Sequence, residues 1–514
     1  MNTPASLARV LDVRGITGLA RQKYLAPVDI TDLERPEKLP GLEEVRDRLL
    51  KAIDAGEQIA IFADYDCDGV LSVAILQTVL KMLGAHVMSV LPTRDQGYGL
   101  TMAAVEKFAA QKKRLIVTVD NGITAHEPVK RAAALGIETV IIDHHHRKAE
   151  APEAVAILWN PCYCAAGLCF MVAWALLIAR RGEDKARATA QSFARLAAVA
   201  MIADAVPLTG YARTLTRFGL DSLAGATHAG LREILRLSRV APGAVPSSRQ
   251  IAFGVGPMLN SPGRLGDPVQ SLDALIESNP ERAIRKAGIL EATNIRRREM
   301  QKDLCAEMFK SAENVDKVCV LYKASWPRGL VGIMAARAVD HFGVPAFVLG
   351  LDPNTGLAYG SARSVKGFHL IEAIDSCSHL VSRYGGHAAA AGFSMLTSHI
   401  DEFRQALTAF AESATIERQS FQPETELNLG EINIEFFEML RRMEPFGIGN
   451  ECPRFLVKGA ELIRYRSYAS LLRKGRYETV VRHAEDLHLV FDEEPRDYFV
   501  EAGSRHLYLR GVQP

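Results

Sequence analysis

The segment IAIFADYDCDGV, residues 59–70, decides the fold, because it joins an apolar β-strand to a close cluster of acidic residues. Asp64, Asp66 and Asp68 occupy alternate positions, which share one face of an extended backbone, so their carboxylates can converge. Three anions so close repel one another unless a cation binds them. Oxygen ligands of this kind favour Mg²⁺ or Mn²⁺. The segment therefore predicts a divalent-metal site at the end of a strand, with Gly69 permitting a tight turn into the next helix.

Acidic residues recur at the ends of later predicted strands. LIVTVD ends at Asp120, and TVIIDHHH ends in Asp143 and His144, while Asp204 follows a helical stretch. The carboxyl ends of parallel strands lie along one edge of a sheet, where open α/β folds bind ligands. Any one of these acids is more simply explained as a turn or cap residue. As a set they favour a metal site over that explanation.

Short apolar strands alternate with helices over the first part of the chain, which predicts a parallel α/β sheet with right-handed crossovers. A mostly helical stretch from about 173 to 311 follows, and a second α/β pattern starts at 317. The last hundred residues are strand-like with polar breaks and suggest a small β-barrel. The predicted strands of the first sheet are 58–64, 86–93, 114–120, 138–143 and 154–160, and five further strands are predicted at 455–466, 477–483, 487–491, 498–503 and 506–512.

This pattern predicts five regions. They are an N-terminal segment (1–55), a catalytic α/β domain (56–215), a helical connector (216–312), a second α/β domain that binds substrate (313–415) and an oligonucleotide-binding (OB)-like barrel (416–514).

Composition bounds the class of protein but leaves function open. The 514 residues are 48% hydrophobic and 24% charged, as in a soluble globular protein of several domains. No apolar run is long enough to cross a bilayer, no signal-peptide region begins the chain, and eight scattered cysteines suggest a reducing cytoplasm. Three of these cysteines form a C-x-C-x₄-C pattern at 162–169, which is a weak zinc signal and is better explained by ordinary thiols. A net charge of +1 does not indicate nucleic acid, so any polyanion must bind a local positive surface.

The acidic motifs at 64–69, 120, 143–145 and 204 resemble the four motifs of the DHH phosphoesterase superfamily. Six further segments, in chain order, resemble the RecJ family within it, and their ordered sum is more specific than any one of them. The sequence departs from the RecJ pattern at Ala212, Met258, Ser261, Pro262 and Pro327, none of which is a presumed metal ligand. The six segments are TRDQGYGL (93–100), GVGPMLNSPGRLGD (254–267), WPRGLVGIMAAR (326–337), GSARSVKG (360–367), GGHAAAAG (385–392) and EPFGIGNECPRF (444–455).

The resemblance implies a metal-dependent 5′→3′ exonuclease that hydrolyses single-stranded DNA to mononucleotides in DNA repair or recombination. It implies two Mn²⁺ or Mg²⁺ ions, with His145 contacting the phosphate or assisting proton transfer and Asp143 orienting the histidines. Asp64 is either a ligand or a neighbouring catalytic carboxylate. The expected metal ligands are Asp64, Asp66, Asp68, Asp120, His144 and Asp204.

The resemblance also implies residues that bind the strand, through cationic or hydroxyl side chains and through glycines that permit close approach to phosphate. The competing interpretation of 385–387 is a plain turn into a helix. The tail residues Arg464, Tyr465, Arg466, Tyr468, Arg473, Lys474 and Arg476 form either a stacking platform or an ordinary solvated surface. The expected nucleic-acid-binding residues are Arg94, Tyr98, Asn260, Arg264, Arg337, Ser361, Arg363, Ser364, Gly385, Gly386 and His387.

Two other functions compete with the exonuclease. One is a DHH phosphodiesterase for short oligonucleotides or cyclic dinucleotides, and the other is an inactive nucleic-acid-binding paralogue. The barrel-like tail and the GYGL segment favour the exonuclease over the first, and retention of every presumed metal ligand argues against the second. The expected partner is single-stranded DNA, with a single-strand-binding protein or a helicase as further candidates; we expect a monomer in the cytoplasm and no membrane contact.

Overall fold

The computed structural model describes residues 3–147, 150–312, 315–415, 421–483 and 496–512. The N-terminal helices pack away from the acidic motif. Two of them lie against the C-terminal region, where the Ser6 hydroxyl donates to Glu431 at 2.8 Å, and the third covers the edge strand of the first sheet. These helices are α1 (Ala5–Val13), α2 (Gly18–Leu25) and α3 (Leu42–Asp54).

The first sheet is parallel throughout and has the strand order β2-β1-β3-β4-β5. The predicted parallel α/β architecture is confirmed, although the predicted strands extend up to three residues beyond the observed ones. Every residue of the central strand β3 is buried, as expected of a strand covered on both faces. The elements are β1 (Gln58–Ala63), α4 (Cys67–Met82), β2 (His86–Val90), α5 (Met102–Ala110), β3 (Leu115–Val119), α6 (His126–Ala134), β4 (Glu138–Asp143) and β5 (Ala156–Trp159).

Helices fill the middle of the chain, as predicted, but they begin at Ala165, eight residues earlier than expected. The first backbone N–H groups of that helix donate to Asp68, a contact across 97 residues that the local pattern does not contain. One segment, 248–265, is continuous but passes through a π-helical turn at Ile251–Val255. The helices are α7 (Ala165–Arg181), α8 (Glu183–Ala203), α9 (Gly210–Leu223), α10 (Ala229–Leu237), α11 (Ser248–Gln250), α12 (Gly256–Leu265), α13 (Val269–Leu275) and α14 (Pro280–Ser311).

The second α/β domain contains a mixed sheet of order β6-β7-β8-β10-β9. Gly385 and Gly386 end a strand and pair with β10, so the alternative of a plain turn into a helix is wrong. The GGHAAAAG segment is instead a tight hairpin at the edge of the sheet. The elements are β6 (Cys319–Lys323), α15 (Val331–Phe342), β7 (Ala346–Asp352), β8 (Leu357–Arg363), α16 (Leu370–Asp375), β9 (Val381–Gly386), β10 (Ala390–Leu396) and α17 (Ile400–Ser413).

The C-terminal region forms the predicted small barrel. Its long strand β12 pairs with both β13 and β15, and β14 pairs with β16, which closes the sheet on itself. The strand predicted at 487–491 lies outside the described residues, and β13 was not predicted. None of the described helices is both long and apolar enough to cross a bilayer. The elements are β11 (Thr425–Glu426), α18 (Ile434–Met443), β12 (Arg454–Arg466), β13 (Ala469–Lys474), β14 (Tyr477–His483), β15 (Arg496–Ala502) and β16 (Leu507–Val512).

Candidate active site

The acidic residues meet at the carboxyl edge of the first sheet. Asp64 directly follows β1, Asp120 directly follows β3, Asp143 ends β4, and Asp204 comes to the same place from the end of α8. The ligand atoms form three overlapping groups, and within each group all atoms lie within 4.8 Å of one another. The groups are Asp64–Asp66–Asp120, Asp120–His144–His145 and Asp68–His144–Asp204.

Asp120 is the centre of this arrangement. It is 2% exposed and has a left-handed backbone, with φ at 61°, which non-glycine residues other than Asn and Asp seldom adopt. Its Oδ1 atom lies 3.2 Å from His144 Nε2. The neighbouring Asn121 side chain donates to Phe62 O and Val119 O, which ties the ends of β1 and β3 together. The strand ends are therefore fixed before any ligand binds.

Asp66 and Asp68 stand at the start of α4. Asp66 caps the helix by accepting the N–H groups of Asp68 and Gly69. The two oxygens of Asp68 accept from Ala165 N and Ala166 N at 2.7 and 2.8 Å. Each carboxylate oxygen has a second lone pair, so these bonds fix the direction of Asp68 without saturating it.

Asp143 orients His145. Its Oδ1 accepts from the backbone N–H groups of His144 and His145 and lies 2.8 Å from His145 Nδ1, while Oδ2 accepts from Ile123 N. Burial opposes a charge on His145, but the hydrogen bond and negative charge of Asp143 outweigh it and raise the pKa of His145 to about 9. Tyr98 packs beside this pair, with its hydroxyl 3.1 Å from His145 Nε2. His145 is thus held as a cation that faces the acidic cluster.

The buried carboxylates of this cluster repel one another and are poorly solvated, so their ionised forms are unfavourable without a cation. Burial, followed by the neighbouring carboxylates, raises the pKa of Asp64 to about 8 and raises the pKa values of Asp120 and Asp204 well above the usual range. Asp64 Oδ1 is buried and has no hydrogen-bond partner among the residues that the structure describes. A divalent cation would relieve both the repulsion and the unpaired oxygen, and carboxylates with imidazole suit Mn²⁺ or Mg²⁺. These residues therefore fit a divalent-metal centre.

Arginines line the space beside the cluster. Arg94 donates to Gly263 O and stacks on Tyr65, and Arg264 donates to Gly329 O. Burial, followed by the nearby charges of Arg94 and Arg297, lowers the pKa of Arg264 to about 9. Asn260, predicted to bind the strand, accepts a hydrogen bond from Cys67 N at 2.8 Å, so its oxygen is already used to hold the acidic loop.

The second α/β domain presents Ser361 and Arg363 next to each other on β8, with Arg363 Nη1 donating to Ser361 Oγ at 3.2 Å. Burial, followed by the charges of His145 and His146, lowers the pKa of His387, so this hairpin residue lies near those two histidines. Ser364 instead donates to Phe368 O within its own turn. Arg337 lies 4.0 Å from the Asp340 carboxylate one turn along α15.

Three family models match this chain. They are the DHH family N-terminal domain at residues 58–201, the DHHA1 domain at 316–413 and the RecJ OB domain at 424–472. The single-stranded-DNA-specific exonuclease RecJ of Dickeya dadantii is 31% identical over 88% of this chain and 83% of its own length. The chain belongs to the RecJ family.

Other members of the RecJ family extend the comparison. The Bacillus subtilis single-stranded-DNA-specific exonuclease RecJ is 32% identical over 89% of this chain, which spans 59% of that longer protein. Crystal structures of Thermus thermophilus RecJ in complex with Mn²⁺ and with Mg²⁺ match 99% of this chain, with TM-scores of 0.82 and 0.74 at 27% and 26% identity. The matched regions make up 75% and 74% of the two Thermus thermophilus chains, respectively.

Arg297 is a residue of this RecJ family member that the sequence analysis missed. It is 8% exposed and donates to the side chains of Asn294 and Gln301, which are uncharged. With Asn260 and Arg264 it lines a cavity of about 120 Å³ that also includes Ala203, the residue before Asp204. In the sequence Arg297 lies in the charged helix α14 and cannot be told from a solvent-exposed arginine. The run of three arginines at 296–298 is the feature that could have drawn attention to it.

The metal-free protein is expected to lose stability as pH rises from 6 to 8.5. At lower pH the carboxyl groups with a raised pKa are protonated in the folded protein. As pH rises they ionise and repel one another, so the free energy of unfolding falls until pH passes the pKa of about 8 at Asp64. Saturating Mn²⁺ should remove most of this dependence. Thermal unfolding at each pH, with EDTA or with Mn²⁺, measures it. The Asp204→Asn variant should show a smaller pH effect in EDTA; an unchanged one contradicts the assignment.

Proposed function

We propose that this protein is a metal-dependent 5′→3′ exonuclease that hydrolyses single-stranded DNA to mononucleotides in DNA repair or recombination. One observation carries the proposal: buried carboxylates and His144 converge at one sheet edge, and Arg264 lies close enough to feel the charges of both Asp66 in this cluster and Arg363 in the second domain. The RecJ relatives named as single-stranded-DNA-specific exonucleases support the substrate and the reaction. The 5′→3′ polarity and the cellular role rest on that family resemblance.

The six predicted ligands would hold two Mn²⁺ or Mg²⁺ ions, since the three overlapping groups share Asp120 and His144. Such ions lower the pKa of a bound water and stabilise charge on the attacked phosphate. Asp66 and Asp68 keep their directions through backbone hydrogen bonds, so no large rearrangement is needed to bind a cation. The ligands are Asp64, Asp66, Asp68, Asp120, His144 and Asp204.

His145 would act on the phosphate. In the metal-free protein its pKa is raised to about 9, and Asp143 Oδ1, which lies 2.8 Å from Nδ1, favours the protonated ring. Nε2, which lies 3.1 Å from the Tyr98 hydroxyl, would donate to a phosphate oxygen or protonate the 3′-oxygen as the P–O bond breaks once the strand is bound.

The strand would be held from both sides of the cleft. Arg94 and Arg264 would approach the phosphates from the catalytic domain, and Ser361, Arg363 and His387 from the second domain. The glycines of the 385–386 hairpin would let the backbone approach the strand closely. Asn260 and Ser364 would act indirectly, because their side chains are bonded within the protein. Arg337 would contribute charge from α15.

The proposed activity is tested with a 5′-labelled single-stranded 30-mer and Mn²⁺. Labelled mononucleotide should appear from the first time points, while a 3′-labelled strand shortens progressively and a blunt duplex is spared. Cleavage of dinucleotides alone would favour the short-oligonucleotide phosphodiesterase, and tight binding without cleavage would favour the inactive paralogue. Either result contradicts the exonuclease. Adding a single-strand-binding protein or a helicase then tests these candidate partners for the same strand.

Arg363→Ala is expected to weaken binding of the 30-mer by about tenfold, because one phosphate contact is lost. The slope of log K against log salt, which is negative, should become less steep by about one. Fluorescence anisotropy at several salt concentrations, in Ca²⁺ to prevent turnover, measures both. Arg404→Ala removes a half-buried arginine from α17 of the same domain and is the matched control. A fall in turnover alone, at saturating DNA, would contradict a role in strand binding.

A further inference from the structure

The helical segment 248–265 runs from the barrel to the catalytic cleft. Near its end, Asn260 and Arg264 line the cavity that also includes Ala203, together with Gly256 and Ala252 from the preceding turns. Near its start, Arg249 lies against the barrel. This helix therefore connects the two regions.

The barrel end of this helix carries an unusual aromatic arrangement. The Arg249 guanidinium lies 4.4 Å from the ring centre of Tyr508 on β16 and 4.7 Å from that of Phe253. Tyr508 is buried beneath the guanidinium, whereas Phe253 is 72% exposed. Phe253 sits in the π-helical turn, a feature frequent at functional sites. The Phe253 ring is held in solvent by the guanidinium stacked on one of its faces, so a planar ligand can stack on the other face.

The surroundings are positively charged. Arg482 is the strand partner of Tyr508, and Arg505 donates to Val245 O on the loop before the helix. Across the described ranges, neither these two arginines nor Arg249 pairs with a carboxylate. Burial, followed by Arg482, Arg505 and Arg249, lowers the pKa of His506. Exposed cations around an open aromatic ring complement a polyanion whose bases stack.

We propose that Arg249, Phe253, Arg482 and Arg505 form a second contact for single-stranded DNA, built jointly by the helical connector and the barrel. A base would stack on the open face of Phe253, and the arginines would contact flanking phosphates. The proposal rests on the proposed exonuclease function and specifies where the strand leaves the cleft. It differs from the platform predicted at 464–476, which lies on β12, β13 and their connections.

The length of the helix sets the size of substrate that reaches this contact. Fifteen residues separate Arg249 from Arg264, which corresponds to about 22 Å at a rise of ~1.5 Å per residue. A stacked strand advances ~3.4 Å per nucleotide, so about six nucleotides bridge the distance. A tetranucleotide in the cleft would not reach Phe253, whereas a 30-mer would.

The test compares Mn²⁺-dependent hydrolysis of a tetranucleotide and a 30-mer. Phe253→Ala and Arg249→Ala should each raise KM for the 30-mer by about fivefold or more, with kcat/KM for the tetranucleotide unchanged. Phe253→Trp should restore KM, because it retains a stacking face. Lys107→Ala, which removes an exposed lysine on α5 of the catalytic domain, should change neither substrate.

Two results would overturn the proposal: an unchanged KM for the 30-mer in Phe253→Ala, or an equal loss for both substrates. Should the wild-type protein cleave neither substrate, the proposed function itself fails. Fluorescence anisotropy of the 30-mer then still tests whether this contact binds DNA. Phe253→Ala must bind the strand more weakly than the wild type, and Phe253→Trp must bind it as tightly. If Arg249→Ala alone weakens binding, the surface recognises only charge, as for an acidic peptide, and the stacking proposal is wrong.

Discussion

Asp120→Ala should reduce kcat on single-stranded DNA by about 10³-fold or more, because a metal centre supplies several kcal/mol of charge stabilisation and each ~1.4 kcal/mol is tenfold in rate. Asp120 belongs to two of the three ligand groups, and its Oδ1 lies 3.2 Å from His144 Nε2, so its loss removes an oxygen from the centre of the expected metal site. Single-turnover hydrolysis of a 5′-labelled 30-mer in Mn²⁺ measures the effect. Anisotropy in Ca²⁺ should show that strand binding is largely kept.

A matched variant separates chemistry from folding. Asp120 has a left-handed backbone, which alanine adopts at a cost of about 1 kcal/mol but which asparagine tolerates. Asp120→Asn should therefore be as inactive as the alanine variant, yet at least as stable as the wild type in EDTA, since a buried charge repelled by its neighbours is gone. Asp47→Asn, on the exposed face of α3, is the control. Unfolding of Asp120→Asn in EDTA would indicate a structural role instead.

The sheet edge could be predicted from the sequence because it depends on local order. Successive β-α units place each strand's carboxyl end on the same side, so Asp64, Asp120 and Asp143 had to lie near one another once the strands were recognised. Asp204 is different, since it ends a helix and nothing in the local pattern fixes where that helix points. Its place came only from the family resemblance.

Contacts between distant segments were beyond the local pattern. The alanine run at 388–391 is typical of a helix, yet it lies in a hairpin, because strand pairing with β8 outweighs helix propensity. The same limit hid Arg297, whose burial depends on packing between helices, and the stack of Arg249 on Tyr508, which joins residues 259 positions apart. Asn260 was recognised as a motif residue, but its hydrogen bond to Cys67 N could not be foreseen.

His145→Ala is expected to lower kcat by about 10²- to 10⁴-fold, the usual range for loss of a positioned proton donor, while Mn²⁺ affinity changes far less. The reason is that the two histidines contact different groups. His144 belongs to two of the three ligand groups, and its Nε2 lies within 3.2–3.7 Å of three carboxylates, whereas His145 belongs to one group and its Nδ1 lies 2.8 Å from Asp143, which is in none. Turnover at saturating DNA and Mn²⁺ titration measure the two effects. His146→Ala is the matched control, because that exposed third histidine is outside all three ligand groups.

The orienting role of Asp143 gives this prediction an independent readout. In the metal-free protein, NMR titration of His145 should give a pKa of about 9, and Asp143→Asn should lower it, since the carboxylate supplies the charge that favours the protonated ring. The stability supplied by this pair is fully present below the unfolded histidine pKa of ~6.5 and is lost as pH rises through about 9. In Asp143→Asn, kcat should therefore fall and the pKa of His145 should no longer be raised. A variant that keeps the raised pKa but loses turnover would show that Asp143 acts on some other step.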